Sequence, residues 1–288
     1  MPSADTGSLP RLSPESRRTV GARQLGNELR LIFGRRRNMA LLVLVAAIPV
    51  FIGIAVKVST PRPGEGPPFI SELTNNGLFL AFTALAVCLP VFLPLAVAVV
   101  AGDAVAGEAG TGTLRYLLAI PVSRTRLLVV KSLGVLVYAA VSVLVVTVCG
   151  LVVGAALFGA DGFTLLSGDT VSVENGLARS AAIAAYAFVD LIGLAAIGLF
   201  FSTLTEVAIG AMAGTVVSAI AFAVLDSVPQ LGSFRQVLLT HNWLNFDEML
   251  RTNPDTQSLL RWSLLSLAYA AVFFAAAWSR ITTADVSG

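Results

Sequence analysis

The stretch "SLGVLVYAAVSVLVVTVCGLVVGAALF", residues 132–158, contains no Asp, Glu, Lys or Arg. A bilayer core about 30 Å thick takes about 20 apolar residues of helix. This stretch is long enough to cross a membrane and must tilt or protrude to use its full length. Five further runs read the same way: 39–56, 78–102, 180–202, 207–225 and 262–279. The whole chain agrees. Of its 288 residues 56% are hydrophobic and 12% charged, and its mean hydropathy is +0.83, whereas about a quarter of the residues of a soluble protein are charged. The expected fold is all-α and polytopic, with six transmembrane helices in one domain over 19–288. Residues 1–18, Pro/Ser-rich at "MPSADTGSLPRLSPES", read as a disordered cytoplasmic N-terminus. The run from Met39 starts late for a signal peptide, and "KVSTPRPGEG" after it offers no small-residue cleavage site, so it reads as a retained span.

Basic residues set the orientation. One side collects Arg11, Arg17, Arg18, Arg23, Arg30, Arg35, Arg36 and Arg37, then Arg115, Arg124, Arg126 and Lys131, and finally Arg280. The other side holds only Lys57, Arg62, Arg179, Arg235, Arg251 and Arg261. Both termini and the loop 103–131 are therefore expected on the cytoplasmic side of the cell membrane. Before the first span, Leu25, Leu29, Ile32 and Phe33 recur at helical spacing with Gln24, Asn27, Glu28 and Arg30 between them, a pattern for an interfacial amphipathic helix anchored by "GRRRN". On the outer side, "STPRPGEGPP" is a Pro/Gly turn region. The 226–261 loop is too apolar to float free and predicts short helices that dip into the outer leaflet or cover the ends of the spans.

Several function classes find no support. The net charge of +2 is distributed by loop, not gathered into a face for nucleic acid. Cys88 and Cys149 lie inside apolar runs without the spacing of a zinc or redox site. The single histidine, His241, has no second ligand beside it. No H-E-x-x-H, G-x-S-x-G or S-x-x-K motif is present, so no catalytic or metal site is expected.

Three features inside the spans carry alternatives. Asp190 is a charge well within a span, and a carboxylate in hydrocarbon requires a partner, water or a proton. It lines a transport or gating path, or it hydrogen-bonds a neighbouring helix, with Ser142, Thr147 and Thr215 at matching depth. Gly150/Gly154 and Gly210/Gly214 form two G-x-x-x-G patterns for close helix packing, expected within the chain, with a contact across a dimer as the alternative. Pro90 and Pro94 in "CLPVFLPLAV" remove backbone hydrogen bonds, so the second span is expected to kink, as mere geometry or as a hinge.

Between the second and third runs lies "AGEAGTGTLRYLLAIPVSRTRLLVVK", residues 106–131. Its glycines suggest a phosphate loop, but a Walker pattern aligned on Gly107 and Gly112 needs Lys where Thr113 stands. It divides into a Glu-bearing Gly turn, a short apolar helix "TLRYLLA", a break at Pro121, and a basic entry to the next span that Ser123 can cap.

That order resembles the cytoplasmic loop of ABC type-2 transporter permeases, carried here by Glu108, Gly112, Thr113, Leu114, Arg115, Leu117, Leu118, Pro121, Val122, Ser123, Arg124 and Lys131. The interfacial helix, the six spans, the short turn "FFSTLTE" at 200–206 and the tail "WSRITTADVSG" add to the likeness, which covers the chain from about residue 20. The resemblance implies the membrane half of an ATP-driven exporter, without its own catalytic site. A separate ATPase subunit, binding ATP and Mg, would dock on the loop, and two permeases would pair. It further implies a second cytoplasmic contact at Thr203, Thr205 and Glu206. A non-transporting sensor or structural subunit of an ATPase complex is the alternative, and an ion-coupled secondary transporter using Asp190 is a third reading.

Overall fold

A computed structural model describes residues 14–58, 79–110, 124–159, 163–164 and 170–283. The chain is an all-α polytopic membrane protein, as its hydropathy requires. Its helices are α1 (Pro14–Gly34), α2 (Arg36–Val58), α3 (Phe79–Cys88), α4 (Phe92–Gly110), α5 (Arg124–Phe158), α6 (Val173–Leu204), α7 (Ala208–Asp226) and α8 (Thr256–Thr283). Among the described residues six of these are long and apolar enough to span a membrane: α2, α4, α5, α6, α7 and α8. Helix α1 starts at Pro14, inside the segment whose composition reads as disordered. Proline is compatible with a first helical turn, where no N–H partner is needed.

The apolar run 78–102 forms two helices. Leu89, Pro90 and Val91 make a turn between α3 and α4, and Pro94 falls in the first turn of α4, where its missing N–H costs nothing. The expected kink is thus a complete break at Pro90. Helix α4 then runs on to Gly110, so Glu108 and Gly110 are helical and not the Gly turn that the sequence suggested. Ala residues at 101, 104, 106 and 109 favour this continuation. Helix α5 begins at Arg124, which leaves 111–123, outside the described residues, as the connection.

Close packing is intrachain where small residues permit it. A Cβ at Gly150 would stand 2.5 Å from Ala81 Cα, and one at Gly102 would stand 2.6 Å from the Met212 nitrogen. Gly150 thus seats α3 on α5, and Gly102 seats α7 on α4. The second G-x-x-x-G behaves differently: Gly214 makes ordinary contact with Phe201, while nothing lies within 4 Å of a Cβ at Gly210. Helix α6 is the most buried of the spans, and α7 and α8 are the least.

At the end of the bundle opposite the basic segments, Phe163–Thr164 pairs antiparallel with Thr170–Val171, a feature that two-residue strands leave no periodicity to announce. Two 3-10 helices, Pro229–Val237 and Asn245–Leu250, fulfil the expectation for the 226–261 loop. Leu238, Leu239, Trp243, Phe246 and Leu250 are buried. Tyr186 on α6 donates to the Asn242 carbonyl (2.8 Å), and Arg179 donates to the carbonyls of Met249 and Arg251. His241 sits 2.5 Å from Asp226, which also pairs with Arg235 at 3.3 Å.

Replacing Gly150 by Leu drives a side chain into the α3 backbone and is expected to cost about 1–3 kcal/mol, the usual range for overpacking. Gly210→Leu, with open space around it, is expected to leave stability unchanged. Thermal unfolding of the two variants in detergent micelles checks the pair.

Candidate functional site: a charge network at the basic end of the bundle

Lys131 lies two turns into α5 and has only 2% of its side chain exposed. A buried ammonium needs both charge compensation and hydrogen-bond acceptors. It has both: Nζ is 2.6 Å from Glu108 Oε1 at the end of α4 and 3.1 and 3.2 Å from the two carboxylate oxygens of Glu28 on α1. The three helices are tied at one point. Beside it, Asp103 on α4 pairs with Arg35 and, at 3.2 Å, with Arg37 at the start of α2. Asn38 donates to the Ile32 carbonyl (2.8 Å), and Tyr138 on α5 donates to the Asn38 carbonyl (2.9 Å). The three carboxylates therefore face three cations, and the cluster as a whole is formally neutral.

The α1 face that reads as interfacial is turned partly onto protein. Ile32 is buried and abuts Gly134, as does the stem of Glu28, while Phe33 lies against Tyr138 with ring centroids 5.7 Å apart. The crevice among Glu28, Arg35, Asn38, Asp103, Glu108 and Lys131 has a volume of about 20 Å³. That is room for a water molecule at most, so the cluster is a fastening and not a ligand pocket.

The α6–α7 turn reaches the same end. A Cβ at Gly110 would stand 2.7 Å from the Glu206 carbonyl oxygen, so the end of α4 rests on this turn. Ser202 Oγ accepts from the N–H groups of Val105 and Ala106 (both 2.9 Å) and donates to the Gly102 carbonyl (2.7 Å). This hydroxyl locks α6 to α4 where the helix passes the charge cluster. Thr205 Oγ1 accepts from the Val207 N–H (3.0 Å), and Thr203 donates to the Phe200 carbonyl (2.7 Å); both shape the turn. Arg124 reaches across to the end of α8, donating to the carbonyls of Ile281 (3.0 Å) and Thr282 (3.3 Å).

Of the loop residues singled out by sequence, Glu108, Arg124 and Lys131 thus lie at this end, together with the 203–206 turn. Gly112, Thr113, Leu114, Arg115, Leu117, Leu118, Pro121, Val122 and Ser123 lie outside the described residues. Glu28 and Asn38 entered the sequence reading only as parts of the amphipathic helix and its anchor, and Asp103, Tyr138 and Ser202 escaped it. Glu28 and Asp103 had one available signal, an acidic residue beside a strongly basic segment. Ser202 had none, since a serine in an apolar run ordinarily bonds its own helix.

Asp190 is buried in the bundle, and its Oδ1 accepts from Ser266 on α8 at 2.9 Å. This corrects the expected partners. Ser142, Thr147 and Thr215 each donate to the carbonyl four residues back on their own helix, which satisfies a hydroxyl in an apolar setting without a neighbour. Asp190 therefore links α6 to α8. The hydrogen bond satisfies one carboxylate oxygen, while Oδ2 is buried without a partner among the described residues.

Fold and site define a class: a polytopic all-α membrane protein whose basic end is closed by an ionic network around the buried Lys131. Within that class, residues 42–287 match the family described as "Protein of unknown function (DUF2705)", and the chain belongs to this family. No curated protein matches the chain.

Lys131→Met leaves two partly buried carboxylates facing each other without their cation, and should cost up to about 3–5 kcal/mol, the range for a broken buried pair. The triple variant with Glu28→Gln and Glu108→Gln removes that repulsion and is expected to recover much of the loss. Unfolding midpoints of parent, single and triple variants measure both effects; a single variant as stable as the parent would show the network to be dispensable. Asp190→Leu should cost about 0.6–1.7 kcal/mol, the range for interhelical hydrogen bonds in membranes, and Ser266→Ala should add little to it in a double-mutant cycle.

Proposed function

We propose that this chain is the permease subunit of an ATP-driven ABC exporter in the cell membrane, with both termini cytoplasmic, working as a pair with a second copy or a similar permease. The ATP and Mg belong to a separate ATPase subunit. One observation carries the reading. The two regions assigned to ATPase contact by family likeness are far apart in sequence, yet the end of α4 at Gly110 rests on the α6–α7 turn at Glu206. A partner held on 111–123 would therefore also meet the 203–206 turn.

The network supplies a route for force. A push on 111–123 acts on the ends of α4 and α5, which Lys131 joins to each other and to α1 through Glu108 and Glu28. Motion there is transmitted to the interfacial helix and not absorbed locally. The break at Pro90 gives α4 freedom to swing against α3, because no backbone hydrogen bond of proline spans the turn. Glu108 faces inward in this scheme. Its role is to hold the α4 end to Lys131, and Arg115 and Glu206 are the residues proposed to meet the partner. Asp190 is proposed to brace α6 against α8 during that motion.

Co-expression with a Walker-type ATPase, sought first in the reading frames beside this one, followed by co-purification and ATP-linked transport in vesicles, tests the reading. Arg115→Glu and Glu206→Arg are expected to weaken subunit association about tenfold each, the change that ~1.4 kcal/mol produces. Lys131→Met combined with Glu28→Gln and Glu108→Gln, which removes the link while recovering stability, is expected to keep association and lose transport. Association without any ATP-linked transport by the parent would favour the sensor or structural alternative, and no association with any ATPase would remove the proposal.

A further inference from the structure

On the membrane-facing side, away from the charge network, α5, α6 and α8 diverge to leave an open cleft of about 340 Å³. Its walls include Leu133 and Leu136 from α5, Ala196 and Leu199 from α6, and Ala271 and Phe274 from α8. The lining is apolar throughout: its one hydroxyl, that of Ser132, is spent on the Leu128 carbonyl at 2.7 Å. Small residues on α6 and α8 keep the cleft open, since alanines stand where leucines would fill it.

The depth of the cleft is fixed by what lies beyond it. One turn past Phe274, Trp278 is half exposed and its indole N–H donates to Thr125 Oγ1 at 2.9 Å. A tryptophan with an apolar ring and a bonded N–H is the residue type that collects at the headgroup level. Arg280 on α8 lies two turns past Phe273, on the face that packs against Phe200 and not on the cleft face, whereas Arg126 on α5 stands one turn before Val129 of the cleft wall. Arg124 and Arg126 begin α5 at the same end. An apolar slot therefore lies just inside a tryptophan and a set of arginines, which is the vertical order of an acyl chain, an interface and a phosphate.

We infer that this cleft is a binding site for an anionic phospholipid, with one acyl chain between α5, α6 and α8 and the phosphate beside Arg126. The bilayer supplies such chains at high concentration, and the apolar wall can offer nothing to a polar ligand. The basic rim selects among headgroups, because a lysine or arginine near the membrane surface favours an anionic lipid by an amount that corresponds to about fivefold in occupancy. The site is independent of the transport reading, since Arg126 and the cleft walls are not among the residues assigned to ATPase contact.

The full chain, exchanged into bilayer discs of equal phosphatidylglycerol and phosphatidylcholine and then released into mild detergent, is examined by native mass spectrometry for retained lipid. The parent is expected to keep phosphatidylglycerol in preference to phosphatidylcholine. Ala271→Trp, an exposed position where the ring covers the cleft without entering the core, should abolish retention. Arg126→Gln should leave the chain folded and lower the preference about fivefold. Three results overturn the inference: equal retention of the two lipids by the parent, undiminished retention by Ala271→Trp, or efficient cross-linking of a benzophenone side chain at position 271 to a second copy, which would make the cleft a protein interface.

Discussion

Burying one ammonium group sets the arrangement of this protein's basic end. Lys131 is placed inside the bundle by the helical phase of α5, and its charge is intolerable there without acceptors. Glu108 and Glu28 meet that need from two other helices, and their joint approach fixes where α4 ends and where α1 lies. Asp103 with Arg35 and Arg37 repeats the device one turn away, so that α2 enters the bundle in register with α4. Hydrocarbon packing alone would leave these helices free to slide, because lipid tails are as apolar as leucine. Ionic and hydrogen-bonded contacts are directional, and they remove that freedom.

The same logic explains how polar groups are distributed deeper in the bundle. Serines and threonines mostly return their hydroxyls to their own helix. Among the described residues Ser202 and Ser266 do otherwise, and both join helices: Ser202 fastens α6 to α4, and Ser266 fastens α8 to Asp190 on α6. Helix α6 is the common member, consistent with its being the most buried span. It is the axis against which the others are held, with α4 pinned to it at the basic end and α8 near mid-span.

The basic end thus combines rigidity with an adjoining weak point. The network, Ser202 and the Gly110–Glu206 contact make the ends of α1, α4, α5 and the α6–α7 turn a connected unit. The turn at Leu89–Val91 separates α4 from α3. A connected unit beside a break is an arrangement that transmits displacement, and this is the physical basis on which the transport proposal stands. The apolar cleft between α5, α6 and α8 belongs to a different surface, governed by the lipid and not by the network.

Hydropathy is a local property, so the sequence by itself determined that the chain crosses a membrane, about where each span lies, and which ends collect the basic residues. The break at Pro90 was legible as a weakness, since the ring's missing N–H is written in the residue, although a kink and a break look alike until neighbours decide. The 3-10 helices between α7 and α8 were legible for the same reason as the spans, through their apolar content. What only the tertiary structure decided was partnership. Lys131 and Glu28 are 103 residues apart and Lys131 and Glu108 are 23 apart, and no periodicity encodes which carboxylate an ammonium will meet. Asp190 likewise chose Ser266, 76 residues away, over three hydroxyls of suitable depth, because those could satisfy themselves on their own helices while a carboxylate could not.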